Sequence, residues 1–286
     1  CRARPHGSRG TARSFRMNDL DWVNGDPVEL RRAYAAERAE LDATAPVDVT
    51  VTDEVRAGLS GLHFEPPSPK AEPILYFHGG SWMLGSPDTH RALCAWLALL
   101  TSRRVISVSY PLAPEHPWPA QLHAAKATLA AIMNHESQRL FVAGDSAGGA
   151  MALWAAQGEV ERVAGIAVFY PAYGVTASPS IDAHGPVNPA LNTAAIAAMY
   201  DRLGCDPTEL QNAVPPEGAP TLIIAAKEDP LFDDSLMLAT ALSAREVTLW
   251  EAMGEEHAFL HHGGASETVR AWLSRVGAWM DSQTQV

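Results

Sequence analysis

Short continuous apolar runs alternate along most of the chain with longer segments of helical spacing. Residues 74–77, 105–110, 140–143, 163–169, 221–226 and 247–250 are predominantly apolar runs of strand length, with only serine and threonine among them as polar residues, the pattern of strands covered on both faces. Between them, residues 91–100, 120–133, 147–157, 235–243 and 266–280 carry helix formers with few breakers, so helices are predicted there. This alternation predicts an α/β architecture with a mostly parallel sheet flanked by helices.

Two stretches depart from it. Near the start, Val28, Leu30, Ala33, Tyr34 and Leu41 have helical spacing behind Asp26 and Pro27, which predicts an amphipathic helix with Asp26 as N-cap and Pro27 in the first turn. Alternation over residues 47–51 and a second extended run over 58–64 predict a hairpin before the proline cluster at 66–69. Residues 171–220 are too long for a simple connection. They contain turn residues, one helical segment at 191–203 and a second proline cluster, and are read as a small inserted element.

Composition narrows the function classes. The chain has 286 residues, 47% of them hydrophobic, and a formal charge of −12. That is enough apolar material for one large domain, and the negative charge argues against nucleic acid or an anionic membrane as partner. Cys1, Cys94 and Cys205 have no metal-type spacing, so no disulfide framework, metal or other cofactor is expected. No apolar run approaches the ~18 residues of a membrane span, and a cytoplasmic protein is expected. Residues 1–16 hold five arginines and no acid before Met17; they are read as a leader or appended sequence, with residues 17–286 forming a single domain.

The candidate chemistry sits at strand ends. The run at 140–143 enters Gly144, Asp145, Ser146, Ala147 and Gly148 and leaves as a helix. This matches G-x-S-x-G, in which glycines let a strained serine project from the top of a sheet. Alone it is equally a Gly/Ser turn without chemistry. Acyl transfer by serine also needs a base, an acid to orient the base, and donors for the oxyanion. The run at 221–226 ends near Asp229, with Glu228, Asp233 and Asp234 as rivals; the run at 247–250 is followed by His257, with His261 and His262 as rivals. The order Ser, Asp, His is that of α/β-hydrolases. Upstream, the run at 74–77 leads into His78, Gly79, Gly80, Ser81 and Trp82, a turn whose amides are candidates for an oxyanion hole. His78 is read as holding that turn without transferring protons.

With these motifs, and with Tyr110-Pro-Leu-Ala-Pro-Glu115 and Asp229-Pro-Leu-Phe-Asp233, the chain resembles the hormone-sensitive-lipase-like branch of α/β-hydrolase esterases. The resemblance implies a mostly parallel eight-stranded sheet with a small helical cap, mapping to about residues 19–45 and 172–219. It implies a Ser146, Asp229, His257 triad and an oxyanion hole at Gly80, Ser81 and Ala147, with Gly79 kept in the candidate set. The expected activity is hydrolysis of short-chain esters through an acyl-enzyme, with Trp82, Met199 and Tyr200 as candidate acyl-site residues. It also implies a small-molecule ester as partner, and a possible homodimer through the last strand, near Trp272 and Trp279. Ser81 stands where the family has a third glycine, and Pro111 where it has arginine. The His-Gly-Gly-x-Trp form is also similar to kynurenine formamidases, which makes aryl formamide hydrolysis the alternative. A binding protein without catalysis is a further one.

Overall fold

The computed structural model describes residues 20–284 apart from Ala57. The expected leader, residues 1–16, and the start of the first cap segment at Asp19 lie outside the described residues. The chain forms an eight-stranded sheet in the order β1-β2-β4-β3-β5-β6-β7-β8. Helix α1, Pro27–Asp42, precedes the hairpin β1, Thr50–Arg56, and β2, Leu59–Glu65. Then β3, Ile74–Phe77, α2, Arg91–Thr101, β4, Val105–Val108, α3, Ala120–Met133, β5, Leu140–Asp145, α4, Ala147–Ala155, and β6, Val163–Phe169, alternate. An inserted segment carries α5, Pro179–His184, α6, Thr193–Leu203, and α7, Pro207–Asn212. The chain closes with β7, Thr221–Ala226, α8, Phe232–Ala241, β8, Val247–Ala252, and α9, Glu267–Ser282. The β1/β2 and β2/β4 pairs are antiparallel and the remaining pairs are parallel.

Local signals account for α1. Asp26 Oδ1 accepts from the Val28 and Glu29 amides at 2.9 and 3.1 Å, and Pro27 occupies the first turn, where its missing N–H costs nothing. Strands β3 to β7 are buried along their whole length, which explains their largely apolar composition. The sheet divides two cores. One includes side chains of α1, α3, α4 and the inserted helices, the other those of α2 and α9.

The hairpin register differs from the alternation-based reading. The first strand starts at Thr50 and runs to Arg56, pairing Thr50 with Glu65 and Arg56 with Leu59. Alternation at 47–51 marks the approach to the strand, while the pairing is decided by the partner. Strand β8 pairs with β7 at the sheet edge. Trp250 and Trp272 lie 6.2 Å apart there, with the Arg275 guanidinium over both rings. Trp279 is buried against Phe141 and is therefore not part of that edge. No helix among the described residues is long and apolar enough to cross a membrane.

Candidate active site

The parallel strands end on one side of the sheet, and the residues singled out by motif converge there. Ser146 follows β5 directly, at φ 51° and ψ −122°, a conformation that costs about 1–3 kcal/mol and must be imposed by its surroundings. The imposing contacts are visible. The Ser146 amide donates to Phe169 O at 2.8 Å, and the Ser146 carbonyl accepts from Gly149 and Ala172 at 3.0 and 3.1 Å. A Cβ on Gly148 would collide with the carbonyls of Phe77 and His78, so the turn is pressed against the end of β3 where only glycine fits.

His257 Nε2 lies 3.1 Å from Ser146 Oγ, and its Nδ1 lies 2.7 Å from Asp229 Oδ2. Asp229 is fully buried, and its other oxygen accepts the Leu231 amide at 2.8 Å. With Nδ1–H donating a hydrogen bond to the Asp229 carboxylate, the Nε2 lone pair faces the serine hydroxyl. Tyr170 packs on the imidazole in a T-shaped contact, with ring centroids 5.0 Å apart. Of the rivals, Asp233 and Asp234 belong to α8 and bind the inserted segment. Glu228 lies 3.7 Å from His184, and His261 and His262 fall in a 3₁₀ turn beyond His257.

The turn after β3 comes alongside. Gly80, Ser81 and Trp82 have φ of 116°, 56° and 56°. Among the described residues, the amides of Gly80, Ser81 and Ala147 make no hydrogen bond, and Ala147 opens α4, whose N-terminal end favours negative charge. Gly79 corrects the expected set. Its amide is taken up by Asp145 Oδ1, 3.0 Å, and His90 Nε2, 3.1 Å. His78 stacks on Tyr110 at 4.2 Å and its Nδ1 lies 2.8 Å from the Gly79 carbonyl. Burial, then the neighbouring His90, pushes its pKa down to about 3, so it is neutral and serves as a brace for the turn.

Trp82 departs from its expected place. It is fully buried, stacked on Trp154 at 6.0 Å and tilted on Tyr200 at 6.3 Å, so it backs the site and presents no free face. Met199 and Tyr200, from α6, retain 7% and 5% exposure and belong to the same packed cluster.

Sequence reasoning missed a polar cluster behind the serine. Asp145 accepts from Tyr76 Oη at 2.7 Å and from the Gly79 amide, and it faces His90 Nε2 at 3.2 Å and His261 Nε2 at 3.4 Å. Burial opposes its ionisation, but His90 and His261 outweigh that and hold its carboxyl well below the usual carboxylate range. Donor atoms of His90, Asp145 and His261 lie within 4.8 Å of one another, close enough to share a metal ion, although their hydrogen bonds already use these atoms. Only the position of Asp145 beside Ser146 hinted at this group. Arg31 was also missed. From α1 it donates to Met83 O and Ala113 O at 2.7 and 2.8 Å and forms a two-pronged pair with Glu115 at 2.7 and 2.6 Å. A guanidinium therefore still reaches the Pro111–Glu115 turn, though from another helix.

A family described as alpha/beta hydrolase fold matches residues 74–261. The chain belongs to that family. Its motifs resemble those of the hormone-sensitive-lipase-like branch of esterases. It is 30% identical over 266 residues to an acetyl esterase of Salmonella schwarzengrund, covering 84% of this chain and 82% of that protein. It is 34% identical over 202 residues to the esterase LipI of Mycobacterium tuberculosis, covering 64% of this chain and 63% of LipI, a little under two thirds of that relative. An esterase of Pyrobaculum calidifontis superposes with a TM-score of 0.83 at 26% identity, covering 94% of this α/β-hydrolase and 97% of that chain.

Proposed function

We propose that the protein is a serine esterase acting on short-chain carboxylic esters. The observation that carries this reading is the hydrogen-bonded series Ser146, His257, Asp229 beside three open amides. In the first step His257 Nε2 takes the Ser146 proton as Oγ attacks the ester carbonyl. The oxyanion rests on the amides of Gly80, Ser81 and Ala147, each donor contributing about 3 kcal/mol to the transition state. His257 returns the proton to the departing alcohol, leaving an acyl-enzyme. Water then gives a proton to His257 as it attacks the acyl carbonyl, and His257 passes that proton to Ser146 Oγ as the acid departs. Asp229 holds the imidazole in the required tautomer and stabilises its charged form.

Helix α1 and the inserted segment act as a cap over the acyl site in this reading. The acetyl esterase relative supports small acyl groups, as does Ser81, whose side chain occupies a place where the related turns have none. Pairing of two copies through the exposed edge of β8 belongs to the same proposal. Turnover of p-nitrophenyl acetate and butyrate by wild type and Ser146→Ala tests the reading. Loss of at least a thousandfold is expected in the variant, and equal rates would sink the esterase assignment. An N-formylkynurenine arm in the same assay decides between ester and formamide.

A further inference from the structure

His257 is held at its ring by Asp229, but its backbone leaves β8 through a long turn. Ala258 sits at φ 65°, and the chain then enters a 3₁₀ turn, Phe259–His262. Phe259 packs on Tyr170, Leu260 is buried and the Glu255 carbonyl accepts from the Glu228 amide, but the polar link from this turn to the serine turn is made by His261. It is 2% exposed, and its Nε2 reaches Asp145 Oδ2. Burial, then the charge of Arg38, keeps its pKa well below the usual histidine value. A neutral ring carries one proton, so only the tautomer with hydrogen on Nε2 can donate to the carboxylate. At 3.4 Å the contact is long, but an ionised acceptor in a buried site strengthens it.

The other partners of that carboxylate show what it joins. Tyr76 lies on β3, Gly79 opens the turn with the open amides, and His90 precedes α2. Asp145 itself is bonded covalently to Ser146. The His261 and His90 rings also meet in a T-shaped contact, with centroids 4.6 Å apart. One carboxylate therefore connects the serine turn, the amide turn and, through His261 alone, the loop that carries the base.

We propose that His261 is a positioning residue for ester hydrolysis, setting the approach of His257 to Ser146 by tying the base loop to Asp145. The proposal rests on the esterase reading and adds a residue outside the Ser, Asp, His series. Packing alone makes a different forecast. Leucine would fill the same space, and Asp145 would keep Tyr76, Gly79 and His90, so a filler role leaves the rate unchanged.

The test measures kcat and KM for p-nitrophenyl butyrate, the rate at which a fluorophosphonate labels Ser146, and urea unfolding, in wild type, His261→Leu and His261→Gln. His261→Leu is expected to lose 10- to 100-fold in kcat with KM within about threefold, and labelling should slow in parallel. His261→Gln offers an amide N–H near the Nε2 position and is expected within about threefold of wild type. Should His261→Leu fail to fold, His261→Asn takes its place; its shorter donor falls short of Asp145 and should lose about tenfold relative to glutamine. The proposal is overturned if His261→Leu stays within twofold of wild type, if its defect lies in KM alone, or if glutamine does no better than the failing variant at equal folded fraction. A wild type that neither turns over esters nor labels at Ser146 would instead defeat the esterase reading.

Discussion

The ends of the parallel strands and the inserted segment solve backbone turns in opposite ways. Around the site, Ser81, Trp82, Ser146, Tyr170 and Ala258 all hold positive φ without being glycine. In the inserted segment, the residues with positive φ are Gly174, Gly204 and Gly218, and helices begin at Ser178, Asn192 and Asp206, whose side chains accept amide protons. Left-handed backbone costs about 1–2 kcal/mol for a residue with a Cβ. The strand ends carry that cost five times because buried partners over-determine each turn. In the inserted segment glycine and the cap residues meet these backbone demands by local preference.

Glycine substitutions should expose the contrast most strongly. Gly148→Ala sets a methyl against the carbonyls of Phe77 and His78, neither of which can retreat without moving β3, so loss of about 4 kcal/mol or failure to fold is expected. Gly204→Ala, at φ 68° with Pro117 Cβ 3.6 Å from the added methyl, should cost only about 1–2 kcal/mol in urea unfolding. Equal costs would erase the distinction.

The joint between the regions is pH-sensitive. Asp234 on α8 accepts the Tyr173 and Val175 amides at 2.6 and 3.3 Å, while neighbouring Asp233 accepts the Ser180 amide at 2.9 Å. Burial raises the Asp234 pKa to about 8 from a usual 3.8, despite those amides. The folded state therefore keeps a proton that the unfolded chain has lost. Relative stability from this group is complete below pH 3.8, falls as pH rises towards 8, and levels off above. Asp234→Asn removes the slope, so the variant should gain on wild type across that window, by roughly 6 kcal/mol in total once the pH passes 8. A constant difference from pH 5 to 9 would refute this origin.

Smaller effects sharpen the comparison within each region. Asn192→Ala removes the acceptor of the Ala195 amide at 2.9 Å and should cost about 1 kcal/mol of stability, with kcat for p-nitrophenyl acetate within twofold. Ser81→Gly relieves a left-handed residue and should raise stability by up to about 1 kcal/mol. Its rate on bulky acyl esters should rise more than its rate on acetate, and an unchanged ratio would remove Ser81 from the control of scope.

Legibility in the sequence followed the same division. Periodicity marks both ends of helix α3, and cap and apolar run mark the starts of α1 and β3, because those signals are local. In the inserted segment the helix at 191–203 was found but α5 and α7, of six residues each, were too short for periodicity to mark. Ser146, Asp229 and His257 were named because motif and chain order constrain them. His90, Asp145 and His261 were not assigned a role, since their partners are 55 and 116 residues apart along the chain. Gly79 was assigned an open amide that the structure turns towards Asp145.

By itself the sequence determined the strand and helix order, the glycine positions at the serine turn, and the residue types for acyl transfer, all encoded in short-range patterns of side-chain size and spacing. Tertiary structure alone decided which amides stay open, which face of Trp82 is covered, and which histidine beyond the base reaches a carboxylate. Those outcomes depend on contacts between loops from different strands, and burial makes each of them strong enough to override what the local sequence prefers.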